Sequence, residues 1–205
     1  MGQASGASVI EQCYSDGNVT GTKRLGGFIA YADDVSISNS YTTVHTLTNY
    51  SGAEQSQVGG FAGYVGASSE IENCFMYGSV LNQIRELLIG AFIGENHSSA
   101  ITNCYYWEIN NFPGIYLNDS SATVESLSTV QFNSASSFNN YDFVDVWGMP
   151  SSDSQVAGSP ILRNVANAFK INEEILGEGT QFNPYVIFDA ATLSELMEYH
   201  NNYSG

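Results

Sequence analysis

The sequence predicts an all-β fold, specifically a right-handed parallel β-helix built by stacking similar turns of chain. Three observations carry this. A short phrase, Gly59-Gly60-Phe61-Ala62-Gly63-Tyr64 followed by Ile71-Glu72-Asn73-Cys74-Phe75, recurs on both sides of itself. The recurring aromatic falls at Phe28, Phe61 and Phe92, spacings of 33 and 31 residues, within the range of solenoid periods. The segments between glycines are short, β-prone and bounded by Gly, Asp and Ser, too short for helices.

The first partial copy is Val9-Ile10-Glu11-Gln12-Cys13-Tyr14 with Gly17-Asn18-Val19. A fuller copy runs from Gly26-Gly27-Phe28-Ile29-Ala30-Tyr31 to Val35-Ser36-Ile37-Ser38-Asn39-Ser40-Tyr41, and the phrase around Phe61 is the next. The last reads Gly90-Ala91-Phe92-Ile93-Gly94 and Ile101-Thr102-Asn103-Cys104-Tyr105-Tyr106. A regular strand would send Ile71 and Cys74 to opposite faces. A bend at the repeated Asn39, Asn73 and Asn103 turns Cys74 inward, because Asn tolerates the left-handed region. Stacked in register, the copies form columns: Phe28/Phe61/Phe92, Asn39/Asn73/Asn103 and Cys13/Ser40/Cys74/Cys104. No single turn buries its own apolar face, so stability comes from neighbours. The polar stretches Thr46–Gln57 and Asn82–Ile89 read as loops that project from the stack and carry binding.

After Trp107 the repeat ends. Residues 126–132 read as a short helix or turn. Residues 141–148 read as a closing strand, with Phe143 and Trp147 placed to cover the open end of the core, and Pro160-Ile161-Leu162 as a brief strand. A strand–helix start of a further module begins near Phe169, with Leu193, Leu196, Met197 and His200 on one helical stripe. The predicted organisation is a repeat array over 1–107, a cap region over 108–168 and a partial module over 169–205.

Net charge is −16, from 5 basic and 21 acidic residues. Nucleic acid and anionic membrane both need a basic face, so neither is an expected partner. No apolar stretch is long enough to insert in a bilayer. The first residues lack the apolar region of a secretory signal. The repeats therefore suggest a piece of a longer exported multidomain chain.

The phrases at 59–63 and 71–75 resemble the GLUG repeat of bacterial surface proteins, a repeat that also occurs in the non-catalytic region of some bacterial immunoglobulin A proteases. The similarity spans roughly Val9 to Trp107, and the segment from Leu127 to Leu162 is similar to the one that usually succeeds such arrays. Ala91, Ala30 and Ser40 depart from the pattern. The resemblance implies a cell-surface or secreted β-solenoid without defined catalytic residues. The repeat, its cap and the start of another module, with no catalytic constellation, suggest an adhesin or rigid stalk with a host surface protein or glycan as partner.

Candidate chemistry is sparse. The cysteines form no C-x-x-C pair, which argues against zinc and redox motifs and for small buried packing groups. Asp33 and Asp34 beside one strand, with Glu70 and Glu72 in a similar place one turn on, are the acidic candidates for ligand binding. Stacked carboxylates of this kind would serve a polysaccharide lyase or hydrolase, the alternative reading. A third reading is the structural arm of a larger protease. Tyr105-Tyr106-Trp107 with Tyr116 read as a hydrophobic lid in preference to a sugar platform. His45, His97 and His200 are scattered and form no metalloprotease motif. No catalytic residue, metal ligand or cofactor is predicted.

Overall fold

The structure, a computed structural model, describes residues 1–48, 57–82, 88–98, 100–149 and 158–163. Most of the two expected binding loops and all of the expected module over 169–205 lie outside the described residues. The chain divides into two compact units, Met1–Asp142 and Phe143–Gly205.

The described chain is mostly β-strand with almost no helix. In the first unit it makes successive passes over the same ground. The first pass holds β1 (Gln3–Glu11), β2 (Tyr14–Ser15), β3 (Asn18–Gly21) and β4 (Leu25–Gly26). The second holds β5 (Ile29–Ser38), β6 (Tyr41–Thr42), β7 (His45–Thr48) and β8 (Gln57–Gly59). In the third, β9 (Ala62–Val65) and β10 (Glu70–Glu72) replace the long strand and lead to β11 (Phe75–Met76), β12 (Ser79–Asn82) and β13 (Leu88–Gly90). The fourth has β14 (Ile93–Asn96), β15 (Ala100–Thr102) and β16 (Tyr105–Trp107), and a shorter fifth has β17 (Ile115–Asn118) and β18 (Glu125–Leu127).

Strands pair in parallel with their counterparts one pass away. They form a seven-stranded sheet (β15-β10-β5-β9-β14-β17, with β1 on β5) and a five-stranded sheet (β18-β16-β11-β6-β2). Two three-stranded sheets, β12-β7-β3 and β13-β8-β4, complete the set. Register puts like beside like: Ile10, Ile37, Ile71 and Ile101 form one interior column, and Leu25, Val58 and Ile89 another. The rings of Phe28, Phe61 and Phe92 stack at 4.8 and 4.7 Å, the ordinary distance between neighbouring strands.

The expected bend is present. Asn39, Asn73 and Asn103 have φ of 47°, 51° and 49°, and Gln12, not anticipated, takes the same position in the first pass at 50°. The amides of Gln12, Asn39 and Asn73 still donate to the next pass, at Ser38, Glu72 and Thr102, so the ladder continues through the corner. The Asn103 side-chain amide also donates to Asn73 Oδ1 at 3.1 Å.

A stability prediction arises from one column. Thr46 lies between Val19 and Val80, is fully buried, and its hydroxyl has no hydrogen-bond partner. Thr46→Val removes this orphan group at nearly constant shape. We expect stabilisation of about 1 kcal/mol, read as a raised urea midpoint; an unchanged or lowered midpoint would refute this account of the column.

Past Trp107 the first unit continues to Asp142. No strand of the fourth pass pairs with β12 among the described residues, and a side chain takes that place. Buried Asn110 accepts from the Val80 amide at 2.7 Å and donates to the Gly78 carbonyl at 3.2 Å, so its amide stands in for one peptide unit. α1 (Thr129–Phe132) begins with a capping box between Ser128 and Gln131. This segment brings Phe132 and Phe138 onto Phe75, and Phe138 and Tyr141 onto Tyr105. Phe75 and Tyr105 lie outside the central hydrophobic cluster that contains Cys74 and Met76, so the segment covers the outer face of the five-stranded sheet. Within this unit the rings in contact with the array are therefore Phe132, Phe138 and Tyr141.

In the second unit, β19 (Trp147–Gly148) pairs antiparallel with β20 (Ile161–Leu162). Arg163 ties the turn by donating from its amide to Val146 O at 2.8 Å and from Nη2 to Phe143 O at 2.7 Å.

Candidate functional site

The cysteine column occupies the corner after each left-handed residue. Cys74 and Cys104 are buried and Cys13, in the first pass, is exposed; all three are free thiols. Each thiol donates to the carbonyl two residues back: Cys13 to Glu11, Cys74 to Glu72 and Cys104 to Thr102, all at 3.2 Å. Ser40 Oγ makes the same bond to Ser38 at 2.8 Å. That shared donor role explains why Ser replaces Cys in one copy. Burial, followed by the neighbouring Cys104, pushes the Cys74 thiol well above its ordinary range, so it stays protonated at neutral pH and is a poor nucleophile. A disulfide-exchange reagent at pH 7 should therefore titrate one thiol quickly in the native chain and none in Cys13→Ser. The other two should react only on unfolding. More than one fast thiol would overturn the buried column.

The four acidic candidates do not occupy equivalent places. Asp34 has φ 58°, and its carboxylate accepts from the Ala7 amide at 2.7 Å, clamping an irregularity in β1 between Ser5 and Ser8. Asp33 accepts from the Tyr31 hydroxyl at 3.4 Å. Glu70 and Glu72 are exposed on either side of inward Ile71 and pair in register with Ser36 and Ser38. The expectation that they sit one turn on from Asp33 and Asp34 is thus corrected. Ser36 is three residues beyond Asp33, about 10 Å along an extended strand. The counterpart of 33–35 is the turn at 66–69, where the Gly66 amide donates to Ala32 O and Ser69 Oγ accepts from the Val35 amide.

Of the fourth-pass aromatics, Tyr105 and Trp107 contact the 128–141 segment. Tyr105 OH accepts from the Asn139 amide at 3.0 Å. Trp107 stacks on Tyr77 at 4.5 Å, and its indole N–H donates to Thr129 at 3.0 Å. Tyr116 is exposed.

A different cluster stands on the outer face of the seven-stranded sheet. Tyr31 and Tyr64 are register partners whose rings stack at 4.9 Å, and Glu95 follows Tyr64 in the same column. The Arg24 guanidinium lies 5.0 and 5.6 Å from the two ring centroids and donates to Gln57, whose amide donates to Glu95. His97 lies between two carboxylates, with Nε2 at 2.8 Å from Glu95 and Nδ1 at 2.7 Å from Asp119. Both ring nitrogens facing acceptors call for two donors, the imidazolium form. The hydrogen bond to Glu95 leads the causes that raise the His97 pKa.

The result is a continuous polar chain across successive passes, with two cationic groups, three carboxylates including Asp33, and a pair of planar rings. Such a surface can pair with polar or charged groups of a ligand. Of this set the sequence marks only Asp33 as a ligand-binding candidate, and His97 reads as one of three scattered histidines. The Tyr31–Tyr64 spacing equals one repeat and could have marked the column; the others stand at unequal spacings and carry no periodic signal. Among the described residues, no group of three or more His, Cys, Asp or Glu is placed to hold a metal ion.

Residues 54–76 match the family model of the GLUG motif. No curated protein matches the chain.

Proposed function

We propose that this chain, which carries a GLUG motif at residues 54–76, is a non-catalytic segment of a bacterial cell-surface protein. It acts as a rigid right-handed parallel β-helical stalk or adhesin whose exposed side presents a host or glycan binding surface. The observation that carries the reading is the in-register parallel pairing between like residues of successive passes. Such an array is stiff and extends by repetition. The motif is known from non-catalytic regions of bacterial proteins, which favours scaffold over catalyst. The Arg24–Gln57–Glu95–His97–Asp119 chain beside Tyr31 and Tyr64 supplies the polar surface for recognition.

Two measurements test this. Antibody raised to the segment should label intact cells of the producing bacterium, and labelling only after lysis would overturn the surface assignment. A glycan array and a pull-down from host membrane extract should yield a ligand whose binding weakens in Arg24→Ala. If both stay empty, the adhesin role falls and the stalk role alone stands.

A further inference from the structure

His97 is anchored through its backbone and bridges through its ring. Its amide donates to Val65 O of the third pass at 2.9 Å. Its ring joins Glu95 of β14 to Asp119 of the bend after β17, through Nε2 at 2.8 Å and Nδ1 at 2.7 Å. A titratable side chain thus spans the seam between the fourth and fifth passes. Among the described strands β17 pairs with β14 alone, so this is the seam on which its ladder forms.

The two carboxylates differ in what else holds them. Glu95 is 17% exposed and also accepts from the Gln57 amide. Asp119 is 69% exposed, and among the described residues its carboxylate has His97 as its one partner. A neutral imidazole has one N–H for these two acceptors. The proton stays with Glu95, the less screened of the two. Nδ1 then turns a lone pair on Asp119, and that contact opens.

The groups that face His97 are Glu95 on its own strand, Asp119, and Tyr64 on β9, whose ring centroid lies 5.4 Å away. On β17 the register partner of Glu95 is Leu117, which carries no charge. The turn at 66–69, beside the Val65 contact, has no titratable side chain. Beyond Tyr64 stand Tyr31, Asp33 and Arg24.

We propose that His97 is a pH-dependent clasp between the fourth and fifth passes: its imidazolium bridges Glu95 to Asp119, and loss of the proton frees Asp119 and loosens β17. Asn96 ties the same seam at every pH. Its buried amide donates to Asn118 Oδ1 at 2.9 Å and Ser120 Oγ at 3.1 Å, and the Asp119 amide donates to Asn96 O at 3.1 Å. Opening the clasp therefore loosens the bend without detaching it. The hydrogen bond to Glu95 is the first cause that raises the His97 pKa above its ordinary value of 6.5. The contribution is thus complete below pH 6.5 and is lost as pH rises through the folded value. The clasp shares residues with the recognition surface proposed above, but its action needs no ligand.

NMR of the 205-residue chain tests it. The His97 ring should titrate above pH 6.5, and Asp119→Asn should lower that midpoint by roughly 0.3 unit or more, the scale of an exposed ion pair. Hydrogen-exchange protection factors, corrected for the intrinsic rate at each pH, should fall about twofold or more across the titration. The fall should appear at the Asp119 amide and in β17, with β11 unchanged. His97→Gln should abolish it, and His45→Gln should keep it. A His97 midpoint at or below 6.5 overturns the proposal, as does a midpoint that Asp119→Asn leaves in place. Protection that stays flat through the titration, or a fall that survives in His97→Gln, does the same.

Discussion

Gly59→Ala should destabilise the first unit by about 3 kcal/mol or more, lowering its thermal midpoint by roughly 6–12 °C. A Cβ built at Gly59 would lie 2.0 Å from the carbonyl oxygen of Ala62, 2.7 Å from that of Phe92 and 2.8 Å from the Gly94 amide nitrogen. All three are backbone atoms, two of them in the adjacent pass, so no rotamer change relieves the clash. The same position in the flanking copies is equally closed: a Cβ would meet Ile29 O at 1.9 Å from Gly26 and Ile93 O at 1.8 Å from Gly90. The first glycine of each phrase therefore exists for close approach of chain to chain. The second position is closed as well where the next pass is regular: a Cβ would meet Gly60 O at 2.3 Å from Gly27 and Ala91 O at 2.3 Å from Gly60. Ala91 occupies it where the next chain is the irregular 113–114 segment, to which its amide and that of Phe92 donate. Gly2→Ala, where a Cβ meets nothing within 4 Å, is the matched control and should leave the midpoint unchanged. Urea unfolding followed by circular dichroism reads both. A loss below about 1 kcal/mol for Gly59→Ala would refute the turn geometry.

This close approach of one pass to the next explains what the sequence could disclose. In a stacked parallel array the sequence period is also the spatial period, so residues aligned by eye become neighbours. Phe28, Phe61 and Phe92 do so, as do the three asparagines at the left-handed corner. Even the Cys-to-Ser exchange at Ser40 was legible, because both side chains donate to the carbonyl two residues back. Gln12 escaped notice because it lacks the residue type that marks the corner, though its φ is the same. The acidic candidates were misaligned for a geometric reason. The second pass crosses in one ten-residue strand, whereas the third breaks into β9 and β10 around a turn. Counting from the glycines and counting from the asparagine then give different answers, and only hydrogen-bond register decides between them. Arg24, Gln57, Glu95, His97 and Asp119 come from strands and turns whose lengths vary between copies. The fold-back of 128–141 over Phe75 and Tyr105 is a non-repeating event: the short helix or turn at 126–132 is legible in the sequence, but the surface it packs on is not.

Phe61→Ala is the second large effect, and it tests how tightly one pass is coupled to the next. Phe61 is fully buried, and its ring stacks on Phe28 on one side and Phe92 on the other. Truncation removes the side chain and leaves a cavity, a cost of about 3–5 kcal/mol. It also breaks two stacked pairs, each worth about 0.5–1.5 kcal/mol beyond burial. Phe28→Ala, which breaks the Phe28–Phe61 pair alone, should cost less. Because an array is held by contacts between neighbouring layers, the two losses at Phe61 weaken the interfaces on both sides of the third pass together. Hydrogen exchange should report this as faster opening in β4, β8 and β13 at once, while β18 changes little. If instead β18 opened to the same extent, the first unit would be unfolding as one block, and layer-by-layer coupling would be the wrong description of its stability.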